Sequence, residues 1–314
     1  MVTDSSQSFS SSLGAGLGAG LGAGGAGEPP KLASEDFLRQ AFEVDAPGYK
    51  PAIHSVRFLT PRPAAPQKPL FVFLPGMDGA GTLLRPQIDR LVPWFDIRCV
   101  AIASDDRAEW VSLARQVVQL ISDEVGEPDA RSGRRRSVYL CGESFGGCLA
   151  MQVLSLLPDL FERLILINPA SSFRRLPWMQ LGPLITQQLP NVAYRVGAKG
   201  LVPFLVESHR VPLRDRLALE NAMGDVPAQT AAWRMSLLSQ FQVERLPLER
   251  MTHPVLLIAG ECDRLLPSKR ETQSLLVRFP NAQLVVLPES GHACLLETAV
   301  NFQQILRRQK FLPS

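Results

Sequence analysis

The chain has 314 residues, of which 46% are hydrophobic and 20% charged, and a formal net charge of +3. That length suits one α/β domain carrying an insertion, and the apolar share supports a large core. A charge this close to neutral argues against nucleic acid as a partner; the densest basic run, Arg131 with Arg134, Arg135 and Arg136, reads as a solvated loop in a Gly/Ser-containing stretch.

Residues 1–34 read as a disordered tail. Ser-rich sequence passes into Leu-Gly-Ala-Gly repeats between Leu13 and about Gly27, with no Lys or Arg before Lys31. A secretory leader needs a basic start, a transit peptide is Arg-rich, and a membrane span needs about 20 apolar residues, so none of these is expected. The five cysteines (Cys99, Cys141, Cys148, Cys262 and Cys294) form no Cys-x-x-Cys pair and no Cys/His cluster. Structural metal and disulfides are therefore not expected, and an odd number of thiols fits a reducing, cytoplasmic setting.

From about Phe37 strands alternate with helices, the pattern of βαβ units and a mainly parallel sheet. Ser55–Leu59 reads as an edge strand and Leu70–Leu74 as a buried strand ending in Pro-Gly. Ile97–Ala103 follows, and then a helix with apolar residues at Trp110, Leu113, Ala114, Val117, Leu120, Ile121 and Val125. Val138–Cys141 is a strand running into Gly142-Glu-Ser-Phe-Gly-Gly147, with an apolar helix over Leu149–Leu157. Leu164–Ile167, Val255–Ala259 and Gln283–Leu287 complete the strands. Ser268-Lys-Arg-Glu271 has the form of a capping box, and a last helix is expected from about Glu297 to Arg308. Residues 171–251 contain no strand-like run, only proline-punctuated helical stretches rich in Leu, Phe and Trp. The expected organisation is thus a core of residues 35–170 and 252–314 with a helical cap, 171–251, inserted between two strands.

Gly142-Glu143-Ser144-Phe145-Gly146 matches Gly-x-Ser-x-Gly, which chance supplies in roughly one such chain in ten. Its position between a strand and a helix raises its weight, because a tight turn there can expose a serine at a helix N-terminus. A serine hydroxyl needs a base to take its proton. Of the four histidines, His253 precedes a strand, His54 precedes the repeating units, and His209 lies in the cap. His292 alone follows a strand, at its C-terminal end. Asp263, just beyond Val255–Ala259, is the carboxylate expected to orient it, with Glu261 ranked second. The order Ser144, Asp263, His292 is that of α/β hydrolases. Backbone N–H groups of Phe145 and Met77 are the expected oxyanion donors. The Gly-rich loop holding Met77 lacks the Gly-Lys-Ser/Thr of a phosphate-binding loop.

On these residues the chain resembles the α/β-hydrolase superfamily over about residues 50–310. More narrowly, Phe73-Leu-Pro-Gly-Met-Asp-Gly-Ala-Gly-Thr82, Leu140-Cys-Gly-Glu-Ser-Phe-Gly-Gly147 and Leu164-Ile-Leu-Ile-Asn-Pro-Ala-Ser-Ser172 are similar to the hydrolase half of the phytyl ester synthase group. That resemblance implies an α/β-hydrolase fold and acyl transfer to or from lipid alcohols such as phytol or diacylglycerol. Plant members add an acyltransferase domain with a His-x₄-Asp motif, whereas His209 and Asp215 here are separated by five residues.

The expected function is therefore a serine hydrolase of hydrophobic acyl esters working through Ser144, His292 and Asp263 without metal or organic cofactor. Two alternatives stay open: an acyltransferase making fatty acid esters of phytol or diacylglycerol, and a non-catalytic binding protein on a hydrolase scaffold. No obligate protein partner is evident, and contact between the cap and a membrane surface stays open.

Overall fold

The structure, a computed structural model, describes residues 55–127, 133 and 135–313. The expected tail, His54, and Arg131 and Arg134 of the basic run lie outside the described residues. Among the described residues seven strands form one sheet: β1 (Val56–Leu59), β2 (Leu70–Leu74), β3 (Asp96–Ile102), β4 (Val138–Glu143), β5 (Arg163–Ile167), β6 (Val255–Gly260) and β7 (Ala282–Leu287), in the order β1-β3-β2-β4-β5-β6-β7. β1 runs antiparallel along β3 at one edge, and every other pair is parallel. Helices alternate with the strands: α1 (Arg85–Leu91), α2 (Trp110–Val125) and α3 (Phe145–Leu156). Between β5 and β6 come α4 (Gly182–Gln188), α5 (Asn191–Gly200), α6 (Val202–Leu205), α7 (Leu213–Gly224) and α8 (Ala228–Gln240). α9 (Ser268–Arg278) and α10 (Phe302–Arg308) close the chain.

The run LFVFL of β2 is apolar throughout because both of its faces are covered. Leu70, Val72 and Leu74 pack with Val117 of α2 and Leu149 and Val153 of α3 on one side. Phe71 and Phe73 pack with Ile88 and Leu91 of α1 and Phe302 and Leu306 of α10 on the other. The sheet is thus doubly wound, and the strand order reverses between β2 and β4. In such sheets a crevice opens at the carboxyl ends of the two diverging strands, where ligands bind.

The turn from β4 into α3 sits at that crevice. Ser144 has φ 55° and ψ −114°, outside the regions an L-residue favours. Three backbone bonds hold it there: its N–H donates to Ile167 O, and its carbonyl accepts from Gly147 and Ala170 N–H, each at 3.0 Å. The flanking glycines follow from close approach rather than flexibility. A Cβ on Gly142 would lie 2.2 Å from Gly146 O, and one on Gly146 would lie 2.2 Å from Leu74 O. The expected stability effect of Gly146→Ala is therefore opposite in sign to helix propensity, which favours alanine by about 1 kcal/mol. Because the obstructing atoms are strand backbone, the substitution should cost about 3 kcal/mol or more in urea unfolding. A cost near zero would contradict the packing described here.

Two local expectations are corrected. The last helix begins at Phe302 rather than Glu297. Asn301 caps it, accepting from Gln304 N–H at 3.0 Å, while Glu297 is drawn into the loop before it. Ser268 does not act as a capping residue either: Pro267 occupies the N-cap position, and the Ser268 hydroxyl donates to Asp263. Glu271 likewise turns away from the helix start, accepting from Ser171 Oγ at 2.5 Å and pairing with Arg175. The structure also adds α1, opened by Pro86, which the apolar spacing leaves unassigned.

Candidate active site

Three parallel strands deliver three side chains to one point. Ser144 follows β4, Asp263 follows β6 and His292 follows β7. His292 Nε2 lies 2.8 Å from Ser144 Oγ, and His292 Nδ1 lies 2.7 Å from Asp263 Oδ2. An ionised carboxylate only accepts, so Nδ1 carries the proton and Nε2 is left to accept from the serine. The Asp263 side chain is 1% exposed and that of His292 5%. Glu261, the runner-up, points to solvent and pairs with Lys269 at 2.6 Å. His253 stands at the opposite end of β6, and His209 is exposed.

Asp263 is held as firmly as it holds the histidine. Oδ1 accepts the Leu265 and Leu266 N–H groups at 2.9 Å each, and Oδ2 also accepts from Ser268 Oγ. Burial pushes this carboxyl's pKa up, but His292 and these donors outweigh it and hold it below the usual carboxylate value. For His292, burial disfavours the imidazolium, yet Asp263 chiefly, with Glu143, raises its pKa above 6.5.

The loop carrying His292 is tied from two sides. Asn168, with φ 42° just past β5, donates from Nδ2 to His292 O at 2.6 Å and accepts Gly260 N–H at 2.8 Å. Glu297 accepts from Gly291 N–H at 2.8 Å and Ser290 Oγ at 2.9 Å, and binds Arg210 at 2.7 Å. Sequence reasoning missed both residues. Asn168-Pro169 at the end of a strand is the one signal that could have found the first.

The loop after β2 closes the other side. A Cβ on Gly76 would lie 3.8 Å from Ser144 Cβ, which places Met77 beside the Ser144 turn. Among the described residues the N–H groups of Met77 and Phe145 donate to no backbone or side-chain acceptor. The Met77 peptide is fixed by Arg234, a fully buried residue of α8. Its guanidinium donates to Met77 O at 2.7 Å and Ala103 O at 2.8 Å. Sequence reasoning missed Arg234 entirely.

Over these groups lies a cavity of about 280 Å³, walled by Phe173, Trp178, Met179, Ile185, Leu219 and Met235. Four of its polar groups, Ser144, His292, Asp78 and Glu143, gather at one end, and Tyr194 adds a hydroxyl elsewhere on the lining. Burial raises the Asp78 pKa, opposed by the Ala80 N–H and by Arg234. Burial also pushes Glu143 up to about 7, with His292 pulling it down and Asp78 adding to the rise. Its Oε1 finds no hydrogen-bond partner among the described residues. Near neutral pH, then, this end of the cavity carries less negative charge than its composition suggests.

A hydroxyl bonded to a neutral imidazole, itself held by a carboxylate, can lose its proton as it attacks an electrophilic carbonyl. Two unpartnered N–H groups beside it can hold the resulting oxyanion.

Comparison with known proteins agrees with this geometry at the level of family. The Alpha/beta hydrolase family profile matches residues 71–302. The chain is 28% identical over 263 residues to phytyl ester synthase 1, chloroplastic, of Arabidopsis thaliana, covering 76% of this chain and 36% of that protein. It thus spans well under half the length of the phytyl ester synthases it matches. It is also 28% identical over 248 residues to "Putative carbamate hydrolase RutD" of Stutzerimonas stutzeri (strain A1501), covering 77% of this chain and 91% of that one. Among solved structures, the esterase EaEST from Exiguobacterium antarcticum superposes with a TM-score of 0.66 at 17% identity, over 81% of this chain and 94% of that one. With the sheet order, the strand–turn–helix at Ser144 and a profile match across most of the chain, the protein belongs to the alpha/beta hydrolase family.

Proposed function

We propose that the protein is a serine esterase acting on hydrophobic acyl esters, with residues 171–251 as a cap over a body of residues 35–170 and 252–314. Ser144 is the nucleophile, His292 the base and Asp263 the orienting carboxylate, with Met77 and Phe145 N–H groups as oxyanion donors. Ser144 Oγ bonds to the ester carbonyl carbon while its proton passes to His292 Nε2. The tetrahedral oxyanion collapses as His292 returns the proton to the departing alkoxide, leaving an acyl group on Ser144. Water, deprotonated by the same nitrogen, then releases the acid. The scheme uses no cofactor.

One observation carries the substrate reading: Ser144 and His292, the latter held by Asp263, sit at the polar end of a cavity whose other walls are apolar apart from Tyr194. The RutD relative's name carries a carbamate, and an unsubstituted carbamate is small and polar and would leave these walls unused. At about 280 Å³ the cavity is at or below the roughly 300–1,000 Å³ of sites that enclose whole ligands. A cavity of this size suits a single medium-length acyl chain. Turnover of p-nitrophenyl esters from acetate to palmitate tests this. kcat/KM should rise from acetate to medium chains by about tenfold or more, at about 0.8 kcal/mol per buried methylene. A steady fall from acetate onward would overturn the lipid reading.

Acyl transfer is the second reading, favoured by the similarity to phytyl ester synthase 1. Phytol or diacylglycerol supplied with an acyl donor would then yield new ester in excess of free acid.

A further inference from the structure

The elements between β5 and β6 bury less than their composition allows. α4 packs on α8, and α5 packs on α7 and α8, which leaves their outer faces to solvent. On those faces Leu184 is 64% exposed, Val192 75% and Val196 68%, and Trp178, in the turn just before α4, is 62% exposed. In α5 only Ala198 is buried and only Tyr194 half-buried, so a single stripe of the helix meets its neighbours. Large apolar side chains left exposed in consecutive elements mark an interaction surface.

Its charge narrows the occupant. From Phe173 to Val206 the sequence holds Arg174, Arg175, Arg195 and Lys199, and no Asp or Glu. Arg175 is engaged with Glu244 and Glu271. Arg174 and Lys199 form no ion pair among the described residues, and Arg195 approaches only the exposed Asp225, at 3.9 Å. Bare Trp, Leu, Ile and Val side chains with cations beside them are the pattern of helices that lie in a lipid interface. A second copy fits poorly, because an isologous contact would set the same cations against each other.

The surface is also continuous with the cavity. Trp178, Ile185 and Leu201 are exposed on the outside and line the cavity on the inside. We propose that the outer face of residues 177–204 docks on an anionic lipid surface, with the mouth of the cavity opening into it. As the route by which a lipid ester reaches Ser144 the proposal rests on the esterase reading, whereas the docking itself does not.

Flotation of the full chain with vesicles tests it, using phosphatidylcholine alone and phosphatidylcholine with about one-third phosphatidylglycerol. The chain should float with both and partition about tenfold or more better onto the anionic vesicles, each cation contributing about fivefold. Leu184→Ser with Val192→Ser and Val196→Ser removes apolar groups that do not line the cavity. It should weaken partitioning by about tenfold or more while leaving turnover of a short soluble ester unchanged. Arg174→Glu with Lys199→Glu should abolish the preference for anionic vesicles. Failure of the parent chain to float, or a triple variant that floats as well as the parent, overturns the proposal. So does light scattering showing a dimer that the triple variant dissociates, which assigns the face to a second copy. A chain that docks but cleaves no ester overturns the esterase reading alone. One that cleaves esters but does not dock overturns this one alone.

Discussion

Replacing Ser144 with alanine should lower ester hydrolysis by roughly four to six orders of magnitude and abolish labelling by a fluorophosphonate, with little change in the unfolding midpoint. The size of the effect follows from the site's construction. The Ser144 hydroxyl has one side-chain partner, His292 Nε2 at 2.8 Å, so its removal leaves His292 and Asp263 bonded to each other and undisturbed. The backbone of the turn is held by Ile167 O, Gly147 N–H and Ala170 N–H, none of which involves the side chain. Alanine at φ 55° carries the same Cβ strain as serine, so no folding energy is gained or lost there. Activity and stability therefore separate cleanly. A loss below about tenfold would mean that the nucleophile lies elsewhere, or that the scaffold only binds its ligand.

Asp263→Asn should cost about four orders of magnitude in kcat and also move the pH profile. In the proposed mechanism the neutral imidazole is the base, so kcat/KM should fall as pH drops through the His292 pKa. In the parent, Asp263 more than offsets burial and the pKa is raised, so the acidic limb lies above pH 6.5. An amide removes the charge, leaving burial to dominate, and the limb should shift to lower pH even as the plateau collapses. The amide must also turn its oxygen toward the Leu265 and Leu266 N–H groups. That presents NH₂ to His292 Nδ1 and forces the wrong tautomer. Glu261 cannot substitute, since it faces solvent and Lys269. A variant with reduced kcat but an unmoved limb would show that Asp263 only supports the loop; that outcome contradicts its assignment here.

Much of the framework was legible because each strand carries its own signal. LFVFL, LILI and VLLIA are short apolar runs that only a sheet covered on both faces explains, and all three appear within a residue or two of their expected ends. The α2 helix spans the expected apolar spacing in full, since one face of it packs on the sheet. Ser144, Asp263 and His292 could be placed because they depend on order along the chain, each just past a strand's carboxyl end. What stayed hidden depends on tertiary partners. Arg234 lies 90 residues beyond Ser144 in a helix whose other residues suggest ordinary packing, and nothing local says that it reaches Met77 O. Ser268 and Glu271 have the spacing of a capping box, yet Ser268 is claimed by Asp263 in the loop just before it, and Glu271 by Ser171, a contact that forms only once the segment after β5 meets α9. Glu297 misled because its partners are tertiary: a carboxylate at the expected start of a helix is instead the anchor of the His292 loop.

The central claim is that an acyl group passes through Ser144. Rapid acid quench during turnover of a medium-chain p-nitrophenyl ester, followed by peptide mass spectrometry, measures it directly. The acyl mass should appear on the peptide containing Ser144, accumulate further in Asp263→Asn if deacylation is slowed more than acylation, and be absent in Ser144→Ala. An acyl adduct on any other residue, or product release from the parent with Ser144 demonstrably unmodified throughout, would contradict it.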